Sequence, residues 1–170
     1  AETFQGREFL AAHCRRTDFL YARKDTTPGL EAIASQLDAA LARTGLNQVF
    51  IATDAPDQLR EGLRQHVKLG TVHFFQESSK GPGAAVGELW HEGQLAAVEM
   101  WVAARSSHFI GTKESRFSMH IQLERSWLGK PAATSLQEFC KEDPGDAFCS
   151  APLSRPSQRK GSHHSEYWEL

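Results

Sequence analysis

Three short polar clusters and one isolated carboxylate carry the residue types that could do chemistry here. The first cluster is His13-Cys-Arg-Arg-Thr-Asp18. Two arginines and a histidine in one place can neutralise a phosphate or a diphosphate, because guanidinium forms charge-assisted, bidentate bonds to phosphate oxygens. Each such bond contributes about 1.5–3 kcal/mol. The plainer alternative pairs Arg15 or Arg16 with Asp18 as surface charge. The second cluster is Thr53-Asp54, where the carboxylate can cap a helix or touch a ligand. The third is Gly111-Thr-Lys-Glu-Ser-Arg-Phe-Ser118. Its glycine allows close backbone approach. Free amides at the start of a following helix, with the hydroxyls of Thr112, Ser115 and Ser118, would form an anion site. The isolated acid is Glu99, in Ala97-Val-Glu-Met-Trp101 on an otherwise apolar helix face. A carboxylate there is costly to bury without a partner. A base, a sugar or an arginine would each serve.

Other chemistries find little support. There is no Walker loop, no Gly-x-Gly-x-x-Gly, no His-Glu-x-x-His and no pair of Cys-x-x-Cys motifs. A Gly-x-Ser-x-Gly elbow is also absent. The eight histidines are scattered, and His163-His164 reads as a solvated pair. The chain therefore offers anion binding and electrostatics, without a self-evident nucleophile and without an expected metal.

Composition narrows the field further. At 170 residues, 24% charged and 40% hydrophobic, the chain suits one domain with a sizeable core. A formal charge of −2 does not suit a long polyanion held by charge alone, so no nucleic acid is expected. No stretch approaches the roughly 20 apolar residues of a membrane span. The sequence opens on Ala1 rather than Met, and no signal peptide precedes the first apolar run, as expected of a processed chain or an excised piece. Of three cysteines, Cys14 sits in an apolar segment and reads as a buried thiol. Cys140 and Cys149 flank the turn signal Asp143-Pro-Gly-Asp146, which makes a closed disulfide loop easy and an oxidising compartment plausible. Two free thiols in a loose tail are the alternative.

The elements that must position these groups alternate. Glu8 to Cys14 is a first strand. After a loop, Thr27 and Pro28 start a helix by a hydroxyl cap and a first-turn proline. Leu30, Ile33, Leu37 and Leu41 form its inner face, and Gly45 ends it. Val49 to Ala52 is a second strand. Asp54 caps the next helix, with Pro56 in its first turn; Leu59, Leu63 and Val67 face inward and Gly70 closes it. Thr71 to Phe75 is a third strand, and Gln76 to Gly87 a Ser-, Gly- and Pro-rich loop. Gln94 to Arg105 is a helix burying Leu95, Val98, Trp101 and Val102. His108 to Gly111 is a fourth strand. A last helix follows, with Phe117, Met119, Ile121 and Leu128 inward. Beyond Pro131 the pattern fades, and Ser150 to His164 reads as mobile. Four strand–helix alternations imply an α/β fold, a doubly wound, mostly parallel Rossmann-like sheet with helices on both faces. Ligands of such folds sit at the carboxyl ends of the strands. A site should therefore follow the first, second and fourth strands, near the start of the Gln94–Arg105 helix.

Taken together, His13-Cys-Arg-Arg-Thr-Asp-Phe19, Val49-Phe-Ile-Ala-Thr-Asp-Ala55 and Phe109-Ile-Gly-Thr-Lys-Glu-Ser-Arg-Phe-Ser118 resemble the protein O-fucosyltransferases. The likeness is greatest to the branch that modifies thrombospondin repeats, and it runs from about Phe9 to Cys149. It implies the carboxyl-terminal, GDP-fucose-binding half of a GT-B glycosyltransferase over residues 1–149, with 150–170 as a polar tail. The family resembled transfers fucose from GDP-fucose to Ser or Thr hydroxyls of folded thrombospondin or EGF-like repeats. It inverts the anomeric centre, uses no metal cofactor and works in the endoplasmic reticulum lumen. The amino-terminal half of that fold carries the acidic general base, so the isolated chain would bind donor weakly and lack activity.

By the same likeness Arg15 is the catalytic arginine, with His13 and Cys14 beside it in the donor site. Glu99 maps onto a GDP-contacting acid, and Arg116 and Phe117, with Ser115 before them, map onto a hydroxyl–Phe pair. Three positions depart from the family's pattern: Cys14 replaces Leu, Glu99 replaces Asp, and Arg116 replaces Thr or Ser. A non-catalytic nucleotide-sugar-binding or scaffolding domain of the same fold is the rival expectation.

Overall fold

The structure is a computed structural model that describes residues 6–75 and 92–142. The Gln76–Gly87 loop, Cys149 and the 150–170 tail fall outside the described residues. In chain order the elements are β1 (Leu10–Cys14), α1 (Phe19–Ala22), α2 (Leu30–Thr44), β2 (Gln48–Thr53), α3 (Asp57–His66), β3 (Thr71–His73), α4 (Glu92–Arg105), β4 (His108–Gly111) and α5 (Arg116–Trp127). A 3₁₀ turn (Ala132–Thr134) and a two-residue β5 (Gln137–Glu138) follow. No helix among the described residues is long and apolar enough to cross a membrane.

The five strands form one parallel sheet in the order β3-β2-β1-β4-β5. β1 is central: Leu10 pairs with Val49 on one side and His108 on the other, and Cys14 lies opposite Thr53. Every β1 residue is buried, as a strand covered on both faces requires. Alternation along the strand then decides where each side chain goes. Leu10, Ala12 and Cys14 pack with Ile33, Leu37 and Leu41 of α2 and Leu63 of α3. Ala11 packs on the other face with Phe50, Ala103, Phe109 and Ile121, under α4 and α5. His13 and Arg15 share that parity.

Some boundaries follow the sequence signals closely. Gly45 ends α2 in the left-handed region, φ 70°, and donates its amide to the Leu41 carbonyl at 2.9 Å. The expected caps differ. α2 starts at Leu30 with Gly29 as N-cap, and the Thr27 hydroxyl turns back to donate to the carbonyls of Phe19, the first residue of α1, and of Arg23, its C-cap. α3 is capped by Pro56 without a side-chain bond, and Asp54 reaches across to the loop after β1 instead. In both cases another backbone group lay within reach and won.

The outer faces of α4 and α5 also correct an expectation. Trp101, Met119 and Leu128 are 57%, 59% and 44% exposed. The inner side of α5 is set by Phe117, Ser118, Ile121, Gln122 and Arg125, a largely polar stripe that spacing alone did not single out. Arg125 is fully buried and meets no carboxylate among the described residues. Its donors go to the carbonyls of Ala103, Ala104, Ser106, Ser107 and Thr134 and to the hydroxyls of Ser106, Thr134 and Ser135. It thereby ties the carboxyl end of α4 to α5 and to the 3₁₀ turn. On the opposite side, Gln36 exchanges two hydrogen bonds with the Cys140 backbone and fixes the chain after β5 to α2. Cys140 is disulfide-bonded.

Gly111 is where β4 meets α5 most closely. A Cβ there would lie 2.9 Å from Ser118 Cβ and 3.0 Å from its Oγ. Gly111→Ala is expected to destabilise the fold by about 1–3 kcal/mol through overpacking. Urea denaturation of the two chains measures it, and an unchanged midpoint would refute the close-packing argument.

Candidate functional site

The strand order reverses between β1 and β4, where a parallel sheet opens a crevice beyond its carboxyl edge. A cleft of about 510 Å³ lies there, lined by His13 and Arg15 after β1, Asp54 after β2, Arg60 of α3, Glu99 of α4 and Phe117 of α5. Two hydroxyls assemble its floor. Thr112 Oγ1 donates to the His13 carbonyl at 2.7 Å and accepts the Arg15 amide at 2.9 Å. Ser118 Oγ accepts the Thr112 amide at 2.9 Å and meets His13 Nδ1 at 2.8 Å. These bonds join β1 to the β4–α5 turn across 97 or more positions of sequence.

Burial drives the His13 ring down to about 3, with Arg15 adding to the shift and Asp54 opposing it, so the ring is neutral. Every group at Ser118 is satisfied when its hydroxyl donates to Nδ1, which leaves the proton on Nε2. His13 then offers one neutral donor, its ring centroid 4.7 Å from that of Phe117 at an interplanar tilt of 47°.

Arg15 is half-exposed and lines the cleft. Its Nε donates to Asp18 Oδ1 at 2.8 Å and lies 3.3 Å from Asp54 Oδ2. Asp18, with Asp54 assisting, raises its already high pKa further, so the guanidinium is permanently charged. Nε pairs with Asp18, as the surface-charge alternative has it, while the side chain lines the cleft. Arg16 points elsewhere, buried, with an Nη1 bond to the Pro28 carbonyl.

Glu99 is largely buried in the cleft wall, and burial pushes its carboxyl up to about 7 while Arg60 pulls it down. Arg60 itself donates to the carbonyls of Ala55 and Thr53 at 2.9 and 3.1 Å and lies over the Phe74 ring. Sequence reasoning missed Arg60. An arginine inside an amphipathic helix gives no signal of its own, and only its place beside the end of β2 brings Arg60 to the cleft.

The structure therefore brings together His13, Arg15, Glu99 and Phe117. It does not bring the Cys14 thiol, which lies in the α2-side core, its pKa raised by burial to about 12. The alternation of β1 dictates this, and Cys14 contributes a backbone carbonyl to the Thr53 hydroxyl instead, at 2.6 Å. Ser115 is buried as the N-cap residue of α5, and Arg116 is exposed; neither lines the cleft. Glu114 before them is held at φ 61° and pairs at 2.8 Å with Arg23, at the end of α1, both side chains half-exposed.

The family model for GDP-fucose protein O-fucosyltransferase matches residues 1–128. The chain belongs to that family. Among curated relatives named GDP-fucose protein O-fucosyltransferase 2, the Drosophila melanogaster protein is 38% identical over 138 residues, covering 81% of this chain and 27% of its own length. The Toxoplasma gondii protein is 32% identical over 210 residues, covering 94% and 24%. The human protein is 31% identical over 147 residues, covering 86% and 32%. The chain thus spans about a quarter to a third of the length of these relatives. Among solved structures, POFUT1 in complex with GDP-fucose matches 71% of this chain and 38% of its own, with TM-score 0.51 and 17% identity. POFUT1 in complex with GDP gives TM-score 0.53 at 16% identity, over 71% of this chain and 39% of that one. These structures share the fold, a parallel-sheet half of a GT-B-like glycosyltransferase.

Glu99 and His13 give the fold opposite pH dependences. Folded Glu99 keeps its proton to about 7, above the unfolded value near 4.5, so folding is favoured at the acid end of that interval and loses the contribution as pH rises through it. Folded His13 binds its proton only near 3, below 6.5, so stability is lost as pH falls through that interval. Glu99→Gln removes the first dependence alone. Its melting temperature relative to the wild type is expected to rise between pH 5 and pH 8, as thermal scans would show. A constant difference would contradict a proton held on Glu99.

Proposed function

We propose that this chain is the donor-binding half of a peptide-O-fucosyltransferase that moves fucose from GDP-fucose to a Ser or Thr hydroxyl of a folded, disulfide-rich repeat. One observation carries the proposal. A permanently charged guanidinium, a neutral histidine donor and a buried acid line one cleft at the reversal point of a parallel sheet.

The chemistry follows from charge. The acceptor oxygen forms a bond to the anomeric carbon as the bond from that carbon to the diphosphate breaks. The leaving GDP keeps the electron pair, and a general base takes the acceptor's proton. Attack opposite the leaving group inverts the centre. Negative charge grows on the bridging oxygen, and Arg15, held in place before the reaction, stabilises it most when it is greatest. No hydrogen bond of Arg15 Nη1 or Nη2 to the described residues competes for the ligand, since Nε carries both carboxylate contacts. The His13 Nε2–H and the first-turn amides of α5, which no side chain caps, add neutral donors for the phosphates. Glu99 accepts from the donor edge of the base or from a sugar hydroxyl. In this proposal the general base and much of the acceptor cleft belong to the other half of the fold, and the reaction runs in the endoplasmic reticulum lumen. The disulfide at Cys140 agrees with an oxidising compartment.

Arg15→Ala in the full-length polypeptide is expected to lower fucose transfer to a folded thrombospondin repeat by at least about 10²–10³-fold. Its melting temperature should stay near the wild-type value, because the Nε contacts are at the surface. Calorimetry with GDP and GDP-fucose accompanies the assay. Donor binding without transfer by the wild-type full-length protein would instead favour a nucleotide-sugar-binding scaffold, and activity retained in Arg15→Ala would overturn the role of Arg15.

A further inference from the structure

We infer that Asp54 is a positioning residue: its carboxylate sets the loop after β1 and thereby the Arg15 guanidinium. The inference rests on the donor role proposed above for Arg15, and it adds a residue to which neither the family resemblance nor the helix-capping signal gave that part.

The register of the sheet places Asp54 there. Cys14 pairs with Thr53, so the residues that leave the two strands, Arg15 and Asp54, emerge side by side. An ionised carboxylate offers about four acceptor positions. Here three hydrogen-bond donors and one cationic nitrogen, from three consecutive residues, converge on it. The Arg16 amide donates to Oδ1 at 2.7 Å and the Thr17 amide to Oδ2 at 3.2 Å. The Thr17 hydroxyl also donates to Oδ2, and Arg15 Nε lies 3.3 Å from the same oxygen. Charge-assisted bonds of this kind are the stronger class, and backbone donors cannot rotate away from them.

Asp18 also holds Nε but is more than half exposed, and exposed ion pairs fix geometry weakly. The Asp54 side chain is only 20% exposed. Its grip on the two amides fixes the backbone from which Arg15 projects, and its contact with Nε fixes the direction of the stem. The two terminal nitrogens are then held ready for a ligand, which loses less freedom on binding.

The molecule supplies its own control. Asp38, on α2, accepts the amides of Lys68 and Leu69 at 2.9–3.0 Å in the loop before β3. It does the same structural work without lining the cleft.

The test uses two measurements on the 170-residue chain. The first is ligand-free: the NMR signal of Arg15 Nε–H, expected to be slowly exchanging in the wild type and in Asp38→Ala and to approach free arginine in Asp54→Ala. The second is calorimetric titration of GDP. Asp54→Ala should weaken GDP about tenfold or more, yet change affinity less than about twofold when Arg15 is already Ala, since two groups acting through one another are not additive. Asp38→Ala should lower the melting temperature and leave GDP affinity unchanged. Thr17→Val, which removes one exposed donor, should shift both readouts in the same direction as Asp54→Ala but less, and it serves if Asp54→Ala does not fold. An unchanged Arg15 signal in the Asp54 or Thr17 variant, or an equal loss of GDP affinity in both Arg15 backgrounds, overturns the inference. A wild-type chain that binds no GDP, but whose Arg15 signal responds to Asp54→Ala, overturns the donor role and supports the positioning role.

Discussion

The Ser118 hydroxyl is the fastening on which the functional end of this molecule depends. It takes the Thr112 amide and holds His13 Nδ1, so a single side chain on α5 connects β1, the β4–α5 turn and the helix itself. It can do so because position 111 has no side chain. With that contact made, the Thr112 hydroxyl is placed between the His13 carbonyl and the Arg15 amide. The last residues of β1 are thus referenced to β4 before any ligand arrives, and preorganised donors need no rearrangement during reaction.

Charge at the cleft is arranged by burial more than by number. Three acids and two arginines line it or touch its arginine, a balance that would repel a diphosphate if all were equally ionised and exposed. They are not equal. Asp18 and Asp54 face Nε of Arg15, while burial tends to keep Glu99 protonated near neutral pH. The terminal face of the Arg15 guanidinium is left as the positive feature, and the neutral His13 adds a donor without adding charge.

Much of this was legible in the sequence. Compact apolar runs followed by polar residues gave four strands their places, and the general rule for such sheets placed a site at their carboxyl ends; the strand order itself was not legible. Arg15, His13, Glu99 and Phe117 meet there because strand parity and helix phase put them there. Parity also explains Cys14: alternation along β1 sends position 14 to the face opposite 13 and 15, which a motif written as consecutive letters conceals. Asp54 and Thr27 looked like helix caps because capping is a local preference; the amides that Asp54 meets were brought within reach only by the tertiary fold, whereas Thr27 turned to carbonyls a few residues back. Met119 was expected inward and lies outside, while Arg125, which gave no signal, is buried. α5 carries two stripes, and the polar one turns inward because Arg125 finds carbonyls waiting there. The two-residue β5 was too short to leave a periodic signal.

Arg125 bears on how this architecture tolerates change. It grips the carbonyls of Ala103 and Ala104 at the carboxyl end of α4, and Glu99 lies one helical turn earlier, roughly 6–8 Å along the axis. The helix is clamped there, and Met100, Val102 and Ala103 pack it against the sheet and α5. Glu99 is therefore placed by a grip it does not share, exerted on the same helix from the next one. Loss of that grip would shift the cleft wall at Glu99 by moving the helix that carries it.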